Sequence, residues 1–391
     1  AGAARASTQR CGMAEQSKFG MKLQGGAGRR VSDAPPSGSR ALKVVLIVLA
    51  VLLAAAIAFA VWALYVYDRV YPNVFFAGER MEGLDRAGVE HGLYVIPGKR
   101  ISPAEWEVGS ALMHYDPRCD MLLGVGSGVV NDTCKVLAHE TNRPFFTFPT
   151  IASTCAACTS LGIVYHPDGS LREYSFSKIP PNHIFINTEI IANAPVRYLW
   201  AGMGDTMAKH YECTISSRND IPAHSDAMGI ALSSMCAEPI VRWGRQAMED
   251  CRRHRITPEL TEIIEAIIIS TGFVSNFVQV DYTTGMAHAM YNGFTILPST
   301  EENHHLHGEV VSYGILVMLT ADKQYEERDR LLRFNKSIGL PTCLADIHAR
   351  PEDLPAVTEK ALAGIDVRVW PYPVTQQMLI DAVMELEQAQ P

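Results

Sequence analysis

The chain of 391 residues lacks several features that would assign a protein to a class at once. Its formal net charge is only −8, with 34 Lys and Arg against 42 Asp and Glu, so no nucleic-acid partner is expected. No internal repeat is visible. The nine cysteines are odd in number and scattered, which argues against a disulfide framework and predicts mostly reduced thiols in a cytosolic protein.

Charge is absent altogether from Val44 to Tyr67, an apolar run of 24 residues. Such a run is long enough to span a bilayer, and Trp62 and Tyr65 near its end suit a membrane interface. The alternative is a buried helix of the globular domain. Residues 1–43 are rich in Gly, Ala, Ser and Arg without periodicity, which predicts a disordered basic tail. The sequence therefore predicts a single-pass membrane anchor with its N-terminus in the cytoplasm.

A glycine-rich segment follows further along, at residues 121–135, MLLGVGSGVVNDTCK. It predicts a strand that ends in a tight turn and passes directly into a helix, where free backbone amides favour a pyrophosphate. Glycine can also serve the turn alone. The next apolar run, PFFTFPTIASTCAACTSLGIVY at 144–165, predicts a second buried strand and a loop of small residues, which is where an open α/β sheet binds ligands.

Asp205, His288 and His307 are candidate ligands of a divalent metal. One carboxylate and two imidazoles leave coordination positions open for a substrate oxygen. Spacing alone does not establish the site, because an unrelated Asp and two hydrogen-bonded histidines are common. His304 and His305 compete with His307 on chemistry alone.

Five motifs in order carry a family resemblance: GVGSGVVNDTCK, FPTIASTCAACTSLGIVYHPDGSL, AGMGDTMAKHYE, AHAMYNGFTILP and HLHGEVVSYGIL. They resemble the glycerol dehydrogenase branch of the iron-containing (group III) alcohol dehydrogenases. Within that branch they are most similar to hydroxycarboxylate dehydrogenases, which act on small 2-oxo acids. The resemblance runs from about residue 92 to the C-terminus. It implies an α/β nucleotide-binding domain followed by an all-α metal-binding domain.

The resemblance also implies cofactors and site residues. The cofactors are NAD or NADP and one divalent metal, Zn²⁺ or Fe²⁺. The resemblance assigns metal binding to Asp205, His288 and His307, since the family pattern places the last ligand immediately before Gly-Glu. It assigns contacts with the cofactor pyrophosphate to Gly126, Ser127 and Gly128. Asp132 would lie near the nicotinamide, and the residues along the ribose and ring would be Thr150, Thr159, Leu161 and Tyr165.

Cys155 departs from the pattern of glycerol dehydrogenases, which carry an Asp at this position that contacts the polyol. Losing the carboxylate removes an acceptor for hydroxyl groups and a charge that would repel an anionic substrate. We therefore expect the substrate to be a small 2-oxo or 2-hydroxy acid, with glycerol or another polyol as the alternative. His210, one turn after Asp205, either relays a proton or packs against a neighbouring element.

The predicted organisation has five parts: a disordered tail at 1–43, a transmembrane helix at 44–67, a linker at 68–91, a partial dinucleotide-binding domain at 92–192 and a helical metal-binding catalytic domain at 193–391. The linker sequence VYPNVFFAGERMEGLDRAG resembles the region after the membrane anchor in vancomycin-resistance W-like envelope proteins. The family's first strands, which contact adenosine, are not recognisable. Residues 1–90 are therefore expected to be a foreign segment, whether a natural fusion or an artificial joining.

The two halves of the chain predict different locations. The anchor would place the following domain outside the cell, whereas the dehydrogenase domain by itself is expected in the cytoplasm, in homo-oligomeric form. A degraded, membrane-anchored protein that keeps metal but binds the cofactor poorly is the alternative to an active enzyme.

Overall fold

The computed structural model describes residues 120–165 and 171–389. The predicted basic tail 1–43, the membrane span Val44–Tyr67, the linker 68–91 and residues 92–119 of the predicted cofactor domain lie outside the described residues.

The described chain begins with strand β1 (Leu122–Gly126), helix α1 (Gly128–Thr141) and strand β2 (Phe145–Pro149). The remaining strands are β3 (Leu161–Tyr165), β4 (Leu171–Phe176) and β5 (His183–Ile184). β1, β2 and β5 form a parallel sheet in that order, and β3 and β4 form a separate antiparallel pair. The predicted strand, glycine turn and helix are confirmed. The apolar run 144–165 contains two strands rather than one, because its small-residue loop separates β2 from β3.

The carboxyl ends of β1 and β2 lie side by side, with Gly126 in register with Pro149. The backbone amide of Thr150 donates to the carbonyl of Gly126 at 3.1 Å. The glycine turn and the loop after β2 therefore meet at the same edge of the sheet, as parallel topology requires.

Up to residue 389, where the description ends, all elements after β5 are helical. They are α2 (Thr188–Ala192), α3 (Val196–Ser216), α4 (His224–Leu232), α5 (Glu238–Arg252), α6 (Pro258–Glu265), α7 (Thr271–Phe277), α8 (Val280–Thr283), α9 (Met286–Phe294), α10 (Pro298–Glu302), α11 (His307–Ala321), α12 (Tyr325–Ile338), α13 (Leu354–Leu362) and α14 (Gln376–Gln388). Short 3-10 turns lie at Ser233–Cys236, Leu344–Ile347 and Pro351–Asp353. This part of the chain carries most of the apolar core, with Met203, Met290 and Leu316 fully buried.

One helical run among the described residues, Pro258–Phe277, is long and apolar enough to cross a membrane by length and composition. It consists of α6, a π-helical segment at Ala266–Ser270 and α7. Leu260, Ile263 and Ile267 are fully buried inside the protein, so this run serves as a core element of the helical part.

Helix α11 lies in backbone contact with α3 and α9. A Cβ atom on Gly308 would lie 2.0 Å from the carbonyl oxygen of Ala201 and 2.9 Å from Cβ of Asp205. A Cβ on Gly314 would lie 2.4 Å from the carbonyl oxygen of Ala287. Only glycine permits these approaches. They place the first turn of α11 directly against the middle of α3.

Replacing Gly308 by Ala should push α11 away from α3. We expect a loss of about 1–3 kcal/mol in the free energy of unfolding, which is the usual cost of overpacking. Affinity for a divalent cation should fall as well, since the same contact positions Asp205. Denaturant titrations with and without metal measure both effects. Gly162→Ala is the control, because its Cβ would meet its nearest neighbour at an ordinary 3.5 Å. Wild-type stability and metal affinity in the Gly308→Ala variant would contradict this role.

Candidate metal and cofactor site

Three helices bring Asp205, His288 and His307 to one point. Nε2 of His307 lies 3.1 Å from Oδ1 of Asp205, and Nε2 of His288 lies 3.4 Å from the same oxygen. The potential ligand atoms of the three residues all lie within 4.8 Å of one another. The side chain of His307 is 39 % exposed, against 12 % for Asp205 and 13 % for His288. The trio, hereafter the metal trio, therefore has one open side.

Glu212 orients His288. It follows Asp205 by seven residues, which is two helical turns and the same face of α3. Its carboxylate accepts hydrogen bonds from Nδ1 of His288 at 2.7 Å, from the amide of His288 at 2.9 Å and from the amide of Gly285 at 2.8 Å. Because Nδ1 is held in this way, Nε2 points toward Asp205, the arrangement that metal-binding imidazoles usually have. Sequence reasoning missed Glu212, although the seven-residue spacing could have revealed it.

The charges of the metal trio are coupled. Burial alone would raise the pKa of Asp205, but the imidazoles of His307 and His288 outweigh it and hold that pKa well below its usual range. Burial would lower the pKa of His288, yet the charge of Glu212 and hydrogen bonds to Asp205 and Glu212 raise it to about 10. The carboxylates of Asp205 and Glu212 therefore make the site negative and favour a positive charge there. A metal ion would compete with a proton for His288. One carboxylate and two oriented imidazoles fit a divalent cation.

Tyr291 closes one side of the metal trio. Its ring packs edge-on against His307, with centroids 4.3 Å apart and an interplanar angle of 80°. Burial, and then the charge of Asp205, raise the pKa of this phenol to about 12, so it is neutral at physiological pH. Sequence reasoning missed this residue too, although it follows His288 by three positions in α9.

The neighbouring histidines do not join the metal trio. Nδ1 of His305 lies 2.8 Å from Oε1 of Glu309, and its Nε2 lies 2.8 Å from Nδ1 of His348. His304 is exposed and has a positive φ of 60°. Of the three candidates around the start of α11, the structure thus selects His307.

His210 also lies outside the metal trio. Its Nδ1 is 2.8 Å from Oγ of Ser233, and its ring packs edge-on against Tyr211 with centroids 5.0 Å apart. Burial lowers its pKa. Of the two interpretations, these contacts favour packing over proton relay.

The glycine turn has features that suit a pyrophosphate. Ser127 precedes α1 and makes no side-chain capping bond to it, and its buried hydroxyl has no partner in the described ranges 120–165 and 171–389. Asn131 Nδ2 donates to the carbonyls of Gly126 at 3.2 Å and Ser127 at 2.9 Å, which holds the turn closed. A buried hydroxyl without a partner at a helix N-terminus fits an anionic group of the cofactor.

Asp132, Thr159 and Leu161 form a second group around Lys135, which is only 2 % exposed. Lys135 Nζ lies 3.1 Å from Oδ1 of Asp132 and 3.2 Å from Oγ1 of Thr159, and it also donates to the carbonyl of Leu161. Burial raises the pKa of Asp132 despite the adjacent ammonium. These predicted cofactor residues therefore meet where α1 contacts β3. Thr150 lies apart from them, beside the glycine turn.

Tyr165, the remaining predicted cofactor residue, is the last residue of β3. Its backbone is paired with Leu171 of β4, and its side chain lies outside the described part of the structure.

The loop at residues 150–160 connects the glycine turn to the metal trio. It starts at the Thr150 bond to Gly126, and two residues later it packs on α3. A Cβ on Gly202, one turn before Asp205, would lie 2.4 Å from the carbonyl oxygen of Ala152. Burial raises the pKa of the Cys155 thiol, the ammonium of Lys209 lowers it, and the charge of Asp205 raises it. Cys155 thus lies near enough to the metal trio for the charge of Asp205 to shift the pKa of its thiol.

Known proteins share this arrangement of elements. A family model described as iron-containing alcohol dehydrogenase matches residues 58–195. Glycerol dehydrogenase of Thermotoga maritima is 34 % identical over 293 residues, which is 72 % of this chain and 78 % of that protein. The chain belongs to the iron-containing alcohol dehydrogenase family. This membership makes it an oxidoreductase of the alcohol dehydrogenase type that uses NAD or NADP and a divalent metal.

Two further known proteins are similar to this alcohol dehydrogenase. Hydroxycarboxylate dehydrogenase A of Escherichia coli is 34 % identical over 228 residues, covering 58 % of this chain and 62 % of that protein. The crystal structure of glycerol dehydrogenase from Schizosaccharomyces pombe matches with a TM-score of 0.71 and 26 % identity, over 80 % of this chain and 79 % of that chain. The family match begins at residue 58 rather than near residue 92, so the expectation that all of residues 1–90 are foreign to this family is wrong for residues 58–90.

His307→Ala should release the cation from this alcohol dehydrogenase. We expect metal affinity to fall by more than about 100-fold, since even residues that only orient a ligand contribute about 10–100-fold. Turnover should be lost together with the metal. Atomic absorption after dialysis measures the metal content. His305→Ala is the matched control, because His305 bonds Glu309 and His348 instead. Metal loss in the control with retention in His307→Ala would reverse the ligand assignment.

Proposed function

We propose that this enzyme reduces small 2-oxo acids and oxidises the corresponding 2-hydroxy acids. The proposal is supported by Cys155, whose thiol is kept neutral by burial and whose pKa is raised further by the charge of Asp205. A carboxylate here would repel an anionic substrate in a site that already holds Asp205 and Glu212. Oxidation of glycerol or another polyol is the alternative, and the likeness to glycerol dehydrogenases favours it.

Asp205, His288 and His307 would hold the divalent metal, with Glu212 keeping His288 in the required orientation. The metal, when bound, polarises the substrate oxygen and so favours hydride exchange with the nicotinamide. Tyr291 packs beside His307 and keeps water from that side of the trio. Within the trio's surroundings, His210 is bonded to Ser233 and takes no part.

The cofactor would lie across the loop at residues 150–160. Gly126, Ser127 and Gly128 would contact the pyrophosphate, supported by the buried hydroxyl of Ser127 at the N-terminus of α1. The nicotinamide end would extend toward Asp132, Thr159 and Leu161, which Lys135 holds together. Thr150 and Tyr165 complete the proposed set of cofactor residues.

The membrane span at 44–67 and the boundaries of the five-part organisation stay predictions, because they involve residues that the structure leaves undescribed. The family match from residue 58 covers the linker at 68–91, which argues against an envelope-protein origin for it. Within the described part, the change from strands to helices falls between Ile184 and Thr188, close to the proposed boundary at 192/193. A homo-oligomer also remains a prediction.

Cys155→Asp should shift the substrate preference from 2-oxo acids toward polyols. The new carboxylate would face the substrate carboxylate in a poorly hydrated cleft, so kcat/KM for a 2-oxo acid should fall by about 10- to 100-fold. Glycerol oxidation should be unchanged or improved, since the carboxylate accepts hydrogen bonds from hydroxyl groups. Steady-state kinetics on both substrates measures the change. Cys155→Asn is the matched control, because Asn has the same shape as Asp and carries no charge. An unchanged ranking of substrates in the Asp variant would refute the assignment of Cys155 to the substrate site.

A further inference from the structure

Lys209 is a buried cation that pairs with no carboxylate of the described residues. It lies on α3, one turn after Asp205, and is 6 % exposed. Its Nζ donates to the backbone carbonyl of Thr283. In the described ranges 120–165 and 171–389, no carboxylate oxygen lies within 4.0 Å of this ammonium. Burying a lysine without an opposite charge is costly, so a ligand that supplies that charge would explain its position.

Lys135, the other buried lysine of the site, differs in this respect. Its ammonium pairs with Asp132 at 3.1 Å and has two further oxygen partners. It is therefore already neutralised and satisfied. Of the three N–H donors of Lys209, one bonds Thr283 and the other two have no acceptor among the described residues, so two donors remain for a ligand.

The charge balance of the metal trio points the same way. Asp205 and Glu212 carry two negative charges, which a divalent cation would neutralise. The charge of Lys209 is then left over, and a substrate with a single carboxylate would balance it. A neutral polyol would not.

Lys209 also lies next to the metal trio along α3. Asp205 and Lys209 are four residues apart and share one face of α3. Thr283, which holds the ammonium, directly precedes the segment that leads into α9 and His288. The ammonium of Lys209 lowers the pKa of the Cys155 thiol and the charge of Asp205 raises it, so both α3 residues lie near Cys155. A 2-oxo acid whose ketone oxygen lies at the trio would then direct its carboxylate, two bonds away, toward Lys209 on the same face of α3.

We propose that the ammonium of Lys209 binds the carboxylate of the substrate and sets the preference for 2-oxo acids over neutral ketones. This inference rests on the proposed function, because it specifies how the acid is recognised at the same site. Lys209 acts here in binding and specificity, and hydride transfer itself does not involve it.

The test compares pyruvate with pyruvamide, which has the same carbonyl group and no charge. Lys209→Gln keeps a donor for the Thr283 carbonyl and removes the positive charge. We expect its kcat/KM for pyruvate to fall by about 10- to 100-fold, mainly through KM, while kcat/KM for pyruvamide changes by less than about threefold. Lys209→Arg, which keeps the charge, is the matched control and should retain most of the preference for pyruvate.

Each outcome decides one claim. Equal losses on both substrates, or an unchanged preference in Lys209→Gln, would overturn the role of Lys209 while leaving 2-oxo acid reduction intact. A wild-type enzyme that oxidises glycerol but reduces no 2-oxo acid would instead overturn the proposed function. If Lys209→Gln does not fold, the preference of Lys209→Arg for pyruvate over pyruvamide serves as the test. A retained preference supports the proposal, and a lost preference with normal pyruvamide reduction contradicts it.

Discussion

The backbone contact between α3 and α11 at Gly308 is the constraint on which the rest of the site depends. It places His307, the first residue of α11, against Asp205 in the middle of α3. The second contact, between Gly314 and Ala287, packs α9 against α11, so that His288 completes the metal trio. Glu212 then fixes the ring of His288 from two turns further along α3. A trio contributed by three helices is precise because each helix is held by backbone contact rather than by flexible side chains.

The same helix also connects the metal trio to the cofactor turn. The loop after β2 bonds to Gly126 at its start and packs against Gly202 of α3 shortly afterwards. Under the proposed function, a substrate at the metal trio would thus lie close to the sheet edge that carries the glycine turn. Hydride transfer needs this closeness, because the reacting carbons must come within van der Waals distance. The charge around the metal trio is set by three residues of α3, Asp205, Lys209 and Glu212. Cys155 adds no charge.

Sequence reasoning predicted the elements that depend on local pattern or on a family motif. The glycine turn, the helices after residue 193 and the meeting of Asp205, His288 and His307 belong to this group. Residue chemistry alone did not separate His307 from His304 and His305, since only the direction in which α11 starts decides which imidazole faces Asp205. Glu212 and Lys209 were missed because their roles depend on partners 74 to 76 residues away in sequence. The separation of β3 from β2 was missed because the pairing of β3 with β4 depends on a strand that follows it.

Anomalous diffraction at the metal absorption edge, from crystals grown with Zn²⁺ or Fe²⁺, tests the central claim most directly. The account predicts one strong anomalous peak, with Nε2 of His288, Nε2 of His307 and a carboxylate oxygen of Asp205 within about 2.0–2.3 Å of it. Nδ1 of His288 should keep its bond to Glu212 in the metal-bound protein. A peak between His305 and His348, or one coordinated by the sulfur of Cys155 in place of Asp205, would contradict the account.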